Sequence, residues 1–379
     1  MNSGTNYRDD NEHKTNKLNE NDGLKDNLSI GKITLGDYIK LKQTPYRDKS
    51  LTHQWWDNDA NINFKITDDD YNIFLKIYIK ELKNNEDNVL HVMEQPMEIG
   101  PLCLDFDFKQ ITPERTLCVD SIMHIIGIVN NIVAKYFNIT NENILESYVM
   151  MKSEPFFNKK KMVYSDGFHL QYPNLILSSV DRFFIYYESR KEIIRQDLFS
   201  DVYSVLEKVN KYKKQTDSDT SDDSLDVSDE PTNNYYAMTE KEKEKINDEI
   251  FDPRIIVKNK WFLYGSGKNI DGDINIYQLA YIFDYNVDEI EEKPTVKELV
   301  KILSIRKPSN ISKQIKSKKS DEYNEIINDV KAKYIKKQSD KIFDINKLFK
   351  PSADNQENIE ANTNKKIFDY TKGNYNKNL

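Results

Sequence analysis

Cysteine is almost missing, with two residues, Cys103 and Cys118, in 379. Two thiols cannot build a disulfide scaffold or a four-thiolate zinc site. The five histidines do not have ligand spacing for a mixed Cys/His knuckle either. No apolar run reaches the length of a bilayer span. The richest stretch, Ile122 to Phe137, is broken by Asn130 and Asn131. The opening residues MNSGTNYRDDNEHK lack the apolar core of a secretion signal. These absences argue against a secreted or membrane protein and predict a soluble, intracellular one.

A basic excess is missing too, since the net charge is −8. Taken whole, that argues against a nucleic-acid binder. The charge is local, however. Residues 217, 219, 222, 223, 226, 229 and 230 are seven acids in a stretch with no base, and without them the net charge is −1. The face of the folded part is therefore not described by the global charge. Charged residues make up 31% and hydrophobic ones 38%, a balance that predicts long unstructured segments around a folded body.

The pattern along the chain divides accordingly. Residues 1–28 are polar without periodicity and are expected to be disordered. Residues 29–310 hold the body, interrupted by a Ser/Asp-rich insertion at 213–240 that cannot bury a core. Residues 311–379 read as a Lys-rich helical segment that becomes a disordered tail. Within the body, Trp55, Trp56, Phe64 and Ile66 supply core bulk. A helix is expected from Tyr71 to Leu82, capped by Asp68–Asp70, with Phe74, Ile77 and Tyr78 on one face. A second amphipathic helix carries Ile122, Ile125, Ile126, Val129, Ile132, Val133 and Tyr136, with Asp120 or Ser121 as N-cap. Helical patterns also cover 181–187 and 193–209. Strands are expected at Pro101–Phe108 and Gly167–Tyr172, a strand pair within Ile255–Tyr264, and more ordered chain over Tyr277–Tyr285.

The first chemically pointed segment is Leu102-Cys103-Leu104-Asp105-Phe106-Asp107-Phe108. Strand side chains alternate faces. Leu102, Leu104, Phe106 and Phe108 therefore point into a core, and Asp105 and Asp107 share the other face with Cα atoms roughly 6.5–7 Å apart. Acids are poor strand formers, and like charges this close call for a counter-ion. A pair of hard divalent cations answers that call and suits phosphoryl transfer. A strand with one solvated face would carry the same pattern. The second segment, Asp166-Gly167-Phe168-His169-Leu170-Gln171-Tyr172-Pro173, puts Gly167 and His169 on one face. There the glycine lets a ligand approach the backbone and the imidazole can donate to a phosphate. The third runs from Phe251-Asp252-Pro253 through Lys258-Asn259-Lys260-Trp261-Phe262-Leu263-Tyr264-Gly265-Ser266-Gly267-Lys268-Asn269. It is not a P-loop, because Phe262 stands where the first glycine is needed and Asn269 follows the lysine. An acid, a basic and aromatic strand, and a Gly/Ser turn with Lys268 remain.

In this order, DxD on a strand, GxH on a strand, and an Asp ahead of a strand ending in SxK resembles the three motifs of archaeo-eukaryotic primases. The resemblance is closest to the primase portion of the primase–helicases of nucleo-cytoplasmic large DNA viruses, giant viruses in particular. Glu94-Gln95-Pro96 and Leu303-Ser304-Ile305-Arg306 fit it as well, and it covers roughly residues 50–310. The resemblance implies a two-layer α/β primase catalytic core, an RRM-like sheet with packed helices. It implies that Asp105, Asp107 and Asp252 hold catalytic Mg²⁺ or Mn²⁺, and that His169, Gly167, Ser266 and Lys268 bind the incoming nucleoside triphosphate. Lys258, Lys260 and Trp261 would contact a single-stranded DNA template, the ring stacking on bases.

The implied activity is metal-dependent, template-directed primer synthesis in viral DNA replication, by a nucleotidyltransferase working in a viral factory of the host cytoplasm. Relatives often place Ser two residues before the histidine, where this chain has Gly167, with Ser165 displaced by two. The viral proteins continue into a helicase with a Walker motif that this chain lacks. A primase-only product, half of a split gene or a fragment would each account for that, with the helicase encoded separately or as the missing C-terminal half. The alternative reading is a catalytically degenerate primase-like domain that serves as a docking module for that helicase.

Overall fold

The computed structural model describes residues 33–199 and 250–336, apart from 46–47, 49, 57–60, 85–88, 111, 160–162, 257 and 271–272. The expected disorder at 1–28, the acidic insertion at 213–240, residues 200–209 of the expected 193–209 helix and the end of the tail lie outside the described residues.

The elements follow in the order α1 Leu35–Leu41, β1 His53–Trp56, β2 Asn61–Phe64, α2 Asp68–Asn84, β3 Val92–Glu94 and β4 Ile99–Gln110. Then come α3 Val119–Tyr136, β5 Ser147–Lys152, β6 Phe156–Asn158, β7 Val163–Ser178 and α4 Ser179–Arg195. After the undescribed stretch follow β8 Trp261–Phe262, β9 Gly267–Ile270, β10 Asp273–Phe283, α5 Val296–Leu303 and α6 Asp321–Lys336. The strands form two antiparallel sheets. The smaller has the order β2-β1-β3-β8, the larger β4-β7-β5-β10-β9, with β6 paired to β7.

The large sheet has an apolar face and a polar one, as the alternation in β4 requires. Leu102, Leu104, Phe106 and Phe108 share one core with the α3 stripe of Ile122, Ile125, Ile126, Val129 and Val133, and with Phe183, Phe184 and Tyr187 of α4. The small sheet has its own core, in which Phe64 and Ile66 meet Phe74, Ile77 and Tyr78 of α2 and Tyr38 of α1. The two-layer α/β expectation holds. α6 joins the large core through Tyr323, Ile327 and Val330, and the Tyr323 hydroxyl donates to Asp181 at 2.6 Å.

Several local expectations need correction. Asp68–Asp70 lie inside the first turn of α2, where they complement the helix dipole. Thr67 does the capping, its Oγ1 accepting from the Asp70 N–H at 3.4 Å. The N-cap of α3 is Cys118, with no side-chain cap bond, in place of Asp120 or Ser121. The 181–187 pattern and Ile193 belong to one continuous helix, α4. It ends at Arg195, and the chain turns at Asp197 with φ of 52°. The strand pair expected in 255–264 is a short 3-10 turn, Pro253–Ile256, and the two-residue β8. Pro253 has no N–H to give a ladder, and the Asp252 side chain accepts from the Arg254 N–H at 2.9 Å, closing a turn instead.

One buried link ties the two layers together. Glu94, fully buried, accepts from the Ser304 hydroxyl at 2.7 Å and from the Ile305 N–H at 2.8 Å. Arg306 returns a bond to the Gln95 carbonyl at 2.7 Å. The two distant segments that shared the family resemblance are thus in contact. No described helix is long and apolar enough to cross a membrane.

Candidate active site

The polar face of the large sheet is set by the β4–β7 register. Asp105 stands opposite His169, Asp107 opposite Gly167 and Lys109 opposite Ser165. On the apolar side Phe106 stacks on Phe168 (4.4 Å, 9°) and on Phe251 (4.4 Å, 17°). This aromatic stack holds the two carboxylates in position from behind. It also fixes the segment that carries Asp252, because Phe251 bridges Phe106 antiparallel and the Asp252 N–H donates to the Asp105 carbonyl at 3.2 Å. All three aspartates therefore meet along β4.

Their side chains are not equivalent. Asp105 and Asp107 line a cavity of about 130 Å³ together with Lys152, Ser165, His169, Lys268 and Tyr277. The Asp252 carboxylate is not among its lining residues. It accepts from Arg254 Nε at 2.8 and 3.1 Å and from Asn259 Nδ2 at 3.0 Å. His169 Nε2 lies 3.3 Å from Asp105 Oδ1. Its ring is clamped between Tyr277 (centroids 3.6 Å, 16°) and Trp261 (4.3 Å, 34°). Trp261 is fixed in turn, its Nε1–H donating to Gln171 Oε1 at 3.1 Å.

The electrostatics separate the two carboxylates. Burial raises both, but for Asp105 the adjacent His169 and the Lys268 and Lys152 ammoniums win, and its carboxyl is held below the usual range. For Asp107, burial and the Asp105 charge outweigh the same three groups and push its carboxyl up. Burial also pushes the Lys152 ammonium down, against the pull of Asp107, Asp166 and Asp105. Arg115 holds Asp166 next to this cluster, at 2.7 and 3.1 Å, and bonds the Lys152 carbonyl at 2.7 Å.

Other residues singled out in the sequence are placed differently. A Cβ on Gly167, whose φ is 156°, would sit 2.1 Å from the Phe106 carbonyl oxygen. The close approach that requires glycine is thus that of strand β4, not of a ligand. Ser266 is buried and points away from the cavity, its Oγ accepting from the Val92 N–H at 3.0 Å and bonding the Tyr78 hydroxyl at 2.8 Å. Trp261 is 2% exposed and committed to His169, so its ring is not presented for stacking on bases. Lys258 is exposed, and Lys260 is half-buried with its ammonium pushed down by burial. Lys268 does reach the cavity, its Nζ lying 5.7 Å from the Phe262 ring centroid and 5.9 Å from that of Trp56. Lys152, Tyr277, Arg254 and Asn259 escaped the sequence reading. Lys152 ends an apolar run, Tyr148–Lys152, and alternation alone could have marked it as facing away from Val149 and Met151.

Among the described residues no three His, Cys, Asp or Glu side chains converge as a ready metal site. The pair nonetheless fits a hard divalent cation. Asp105 Oδ1 is buried with only the His169 imidazole beside it, at 3.3 Å, and a second carboxylate disfavoured by its neighbour stands next to it.

Comparison with known proteins places the strands that carry this pair in a known domain family. Residues 52–239 match the family model described as "C962R protein N-terminal AEP domain". This stretch is an archaeo-eukaryotic primase domain. The chain is also similar to a protein of Acanthamoeba polyphaga mimivirus named as a putative helicase, at 25% identity over 208 residues. That alignment covers 54% of this chain and 17% of the relative. The β4–β7 pair with Asp105, Asp107 and His169 falls within the matched primase domain. Asp252, Trp261 and Lys268 lie beyond its matched end; of these Lys268 lines the cavity, Trp261 packs on His169, and Asp252 bonds the Asp105 backbone.

Proposed function

We propose that this primase domain is a nucleotidyltransferase that joins nucleotides on a single-stranded DNA template into a short primer, with Mg²⁺ or Mn²⁺ as cofactor, in viral DNA replication. The observation that carries the reading is the shared cavity. Two carboxylates of one strand face, one of them paired with an oriented imidazole, lie beside two lysines.

Asp105 and Asp107 would hold the cation. When bound, it lowers the pKa of an attacking hydroxyl and neutralises charge on the departing pyrophosphate. The chain's own groups do the rest. The rings of Tyr277 and Trp261 fix His169 at the cavity, where its Nε2, beside Asp105 in the metal-free site, would donate to a phosphate oxygen of the bound nucleotide. Lys268 and Lys152 supply fixed positive charge for a triphosphate in a partly desolvated space. Asp252 stands in reserve at the Asp105 backbone, and Arg254 and Asn259 occupy its carboxylate. Ser266 and Trp261 act as supports, one tying the turn after β8 to β3 and α2, the other bracing His169. Template contact is assigned to Lys258 and Lys260, and helicase action to a partner of this domain, as the name of the mimiviral relative encourages.

The test is incorporation of labelled ribo- and deoxyribonucleotides on single-stranded DNA. Wild-type protein is expected to make short products with Mg²⁺ or Mn²⁺ and none in EDTA, and Asp105→Ala/Asp107→Ala none in either. Wild-type rates from the double variant would overturn the assignment. The engagement of Asp252 by Arg254 favours a second reading, a domain that retains the fold as a docking module for a helicase. Such a module would show no stabilisation by Mn²⁺.

A further inference from the structure

Away from the catalytic cavity, two larger cavities adjoin each other at Lys307. One, of about 570 Å³, is bordered by Lys307, Lys313 and Lys316, the other, of about 520 Å³, by Lys76, Lys301 and Lys307. No Asp or Glu lines either. The remaining polar lining of the first is neutral, from Asn138, Thr140, Asn174, Asn310, Ser312 and Gln314. We propose that these joined cavities form a second nucleic-acid site, which holds the phosphate backbone of a single strand outside the catalytic pocket.

The surface is built rather than incidental. The segment that carries Lys307, Lys313 and Lys316 is stitched down by Ile315 N–H to the Ile176 carbonyl (2.7 Å) and by Asn138 N–H to the Lys316 carbonyl (3.1 Å). Asn310 closes its turn with a bond to the Ile305 carbonyl at 3.1 Å. Lys307 is half-buried and its ammonium has no hydrogen bond or ion pair among the described residues. Burial, with Lys313 adding to it against the pull of Glu94, brings that group down to about 8. An unpaired, partly desolvated cation at the junction of two acid-free cavities is what an anion would relieve. Two cavities in series favour an extended polyanion over a single phosphate. Pro173, Asn174 and Ile176 of β7 border the groove, four to seven residues past His169 on the same strand. At strand rise that is roughly 13–23 Å from the imidazole. The choice of nucleic acid rests on the primase reading, but no residue of the catalytic cavity takes part.

The test is fluorescence anisotropy of a labelled 20-nucleotide single strand with the full chain in EDTA, over a salt series. Lys301→Glu/Lys313→Glu/Lys316→Glu is expected to weaken binding at least tenfold at low salt. It should also flatten the slope of log affinity against log salt by about two, at roughly 0.7 per lost phosphate contact on a single strand. If the reversal variant melts below wild type, the Gln triple replaces it, with a smaller loss expected. Unchanged affinity and slope in a folded variant overturn the proposal. It also falls if inorganic phosphate, a nucleoside triphosphate or polyglutamate protects the groove lysines while the strand's affinity does not respond to the substitutions. Asp105→Ala/Asp107→Ala must keep the full salt slope. A protein that fails to incorporate nucleotides yet shows this lysine dependence would refute the catalytic reading and leave the groove standing.

Discussion

Asp107→Asn separates a residue retained for function from one retained for folding. Asp105 and Asp107 sit two residues apart on one strand face, with Cα atoms roughly 6.5–7 Å apart. Two unit charges at that distance repel by about 2.5 kcal/mol at an effective dielectric constant near 20. Solvent at the open side of the cavity and salt reduce this to about 1 kcal/mol. Lys152, the His169 imidazole and Lys268 favour a charged Asp107, but burial and Asp105 outweigh them, since its carboxyl is pushed up. Neutralising it should therefore stabilise the metal-free protein by about 1 kcal/mol, a rise of about 2–4 °C in Tm. In Mn²⁺ the order reverses. The wild type gains about 2.7 kcal/mol at a hundredfold excess over Kd, and the variant loses most of that gain. The assay is thermal unfolding in EDTA and in a Mn²⁺ series. A variant that melts lower than wild type in EDTA, or keeps the full Mn²⁺ shift, would refute the reasoning.

Three further outcomes follow from the same contacts. Gly167→Ala forces a methyl to within 2.1 Å of the Phe106 carbonyl. It should cost about 3 kcal/mol or more through a displaced β4–β7 ladder, read by urea unfolding, and a neutral result would show that the strands can part. Glu94→Gln sets an amide against either the Ser304 hydroxyl or the Ile305 N–H. A loss of about 2–3 kcal/mol in the same experiment is expected, and no loss would deny the link between layers. Lys307→Met removes a half-buried ammonium with no hydrogen bond or ion pair among the described residues. The native group titrates near 8 against about 10.5 unfolded, so the native state binds fewer protons and wild-type stability rises relative to the variant as pH goes from about 8 to 10.5. At pH 7 the variant should be the more stable by about 1–2 kcal/mol, and parallel pH curves would contradict the burial of that charge.

What the sequence disclosed depended on range. Period-two alternation is a local property, so the common face of Asp105 and Asp107 and the inward phenylalanines were readable before any fold was known. The α3 stripe was readable for the same reason. The pairing of Asp105 with His169 needed the β4–β7 register, which two isolated strand patterns do not define. Asp252 could be matched to a motif, but its neighbours Arg254 and Asn259 act through a turn that an expected strand concealed. Trp261 looked like a stacking platform because aromatic residues beside lysines suit nucleic acid. Its burial against His169 depends on β8 crossing from the small sheet to the site. Ser266 read as a phosphate ligand within a Gly/Ser turn, whereas the structure gives its hydroxyl to Val92 and Tyr78. The groove lysines come from α2, α5 and the 307–316 segment, which only tertiary packing places side by side.

The central claim is that Asp105 and Asp107 share a catalytic cation beside His169 and Lys268. Anomalous diffraction from crystals soaked with Mn²⁺ and a non-hydrolysable nucleoside triphosphate tests it most directly. The account predicts a manganese peak bonded to both carboxylates, with the triphosphate running toward His169 and Lys268. A cavity free of manganese at saturating concentration, or a triphosphate bound elsewhere on the chain, would contradict it.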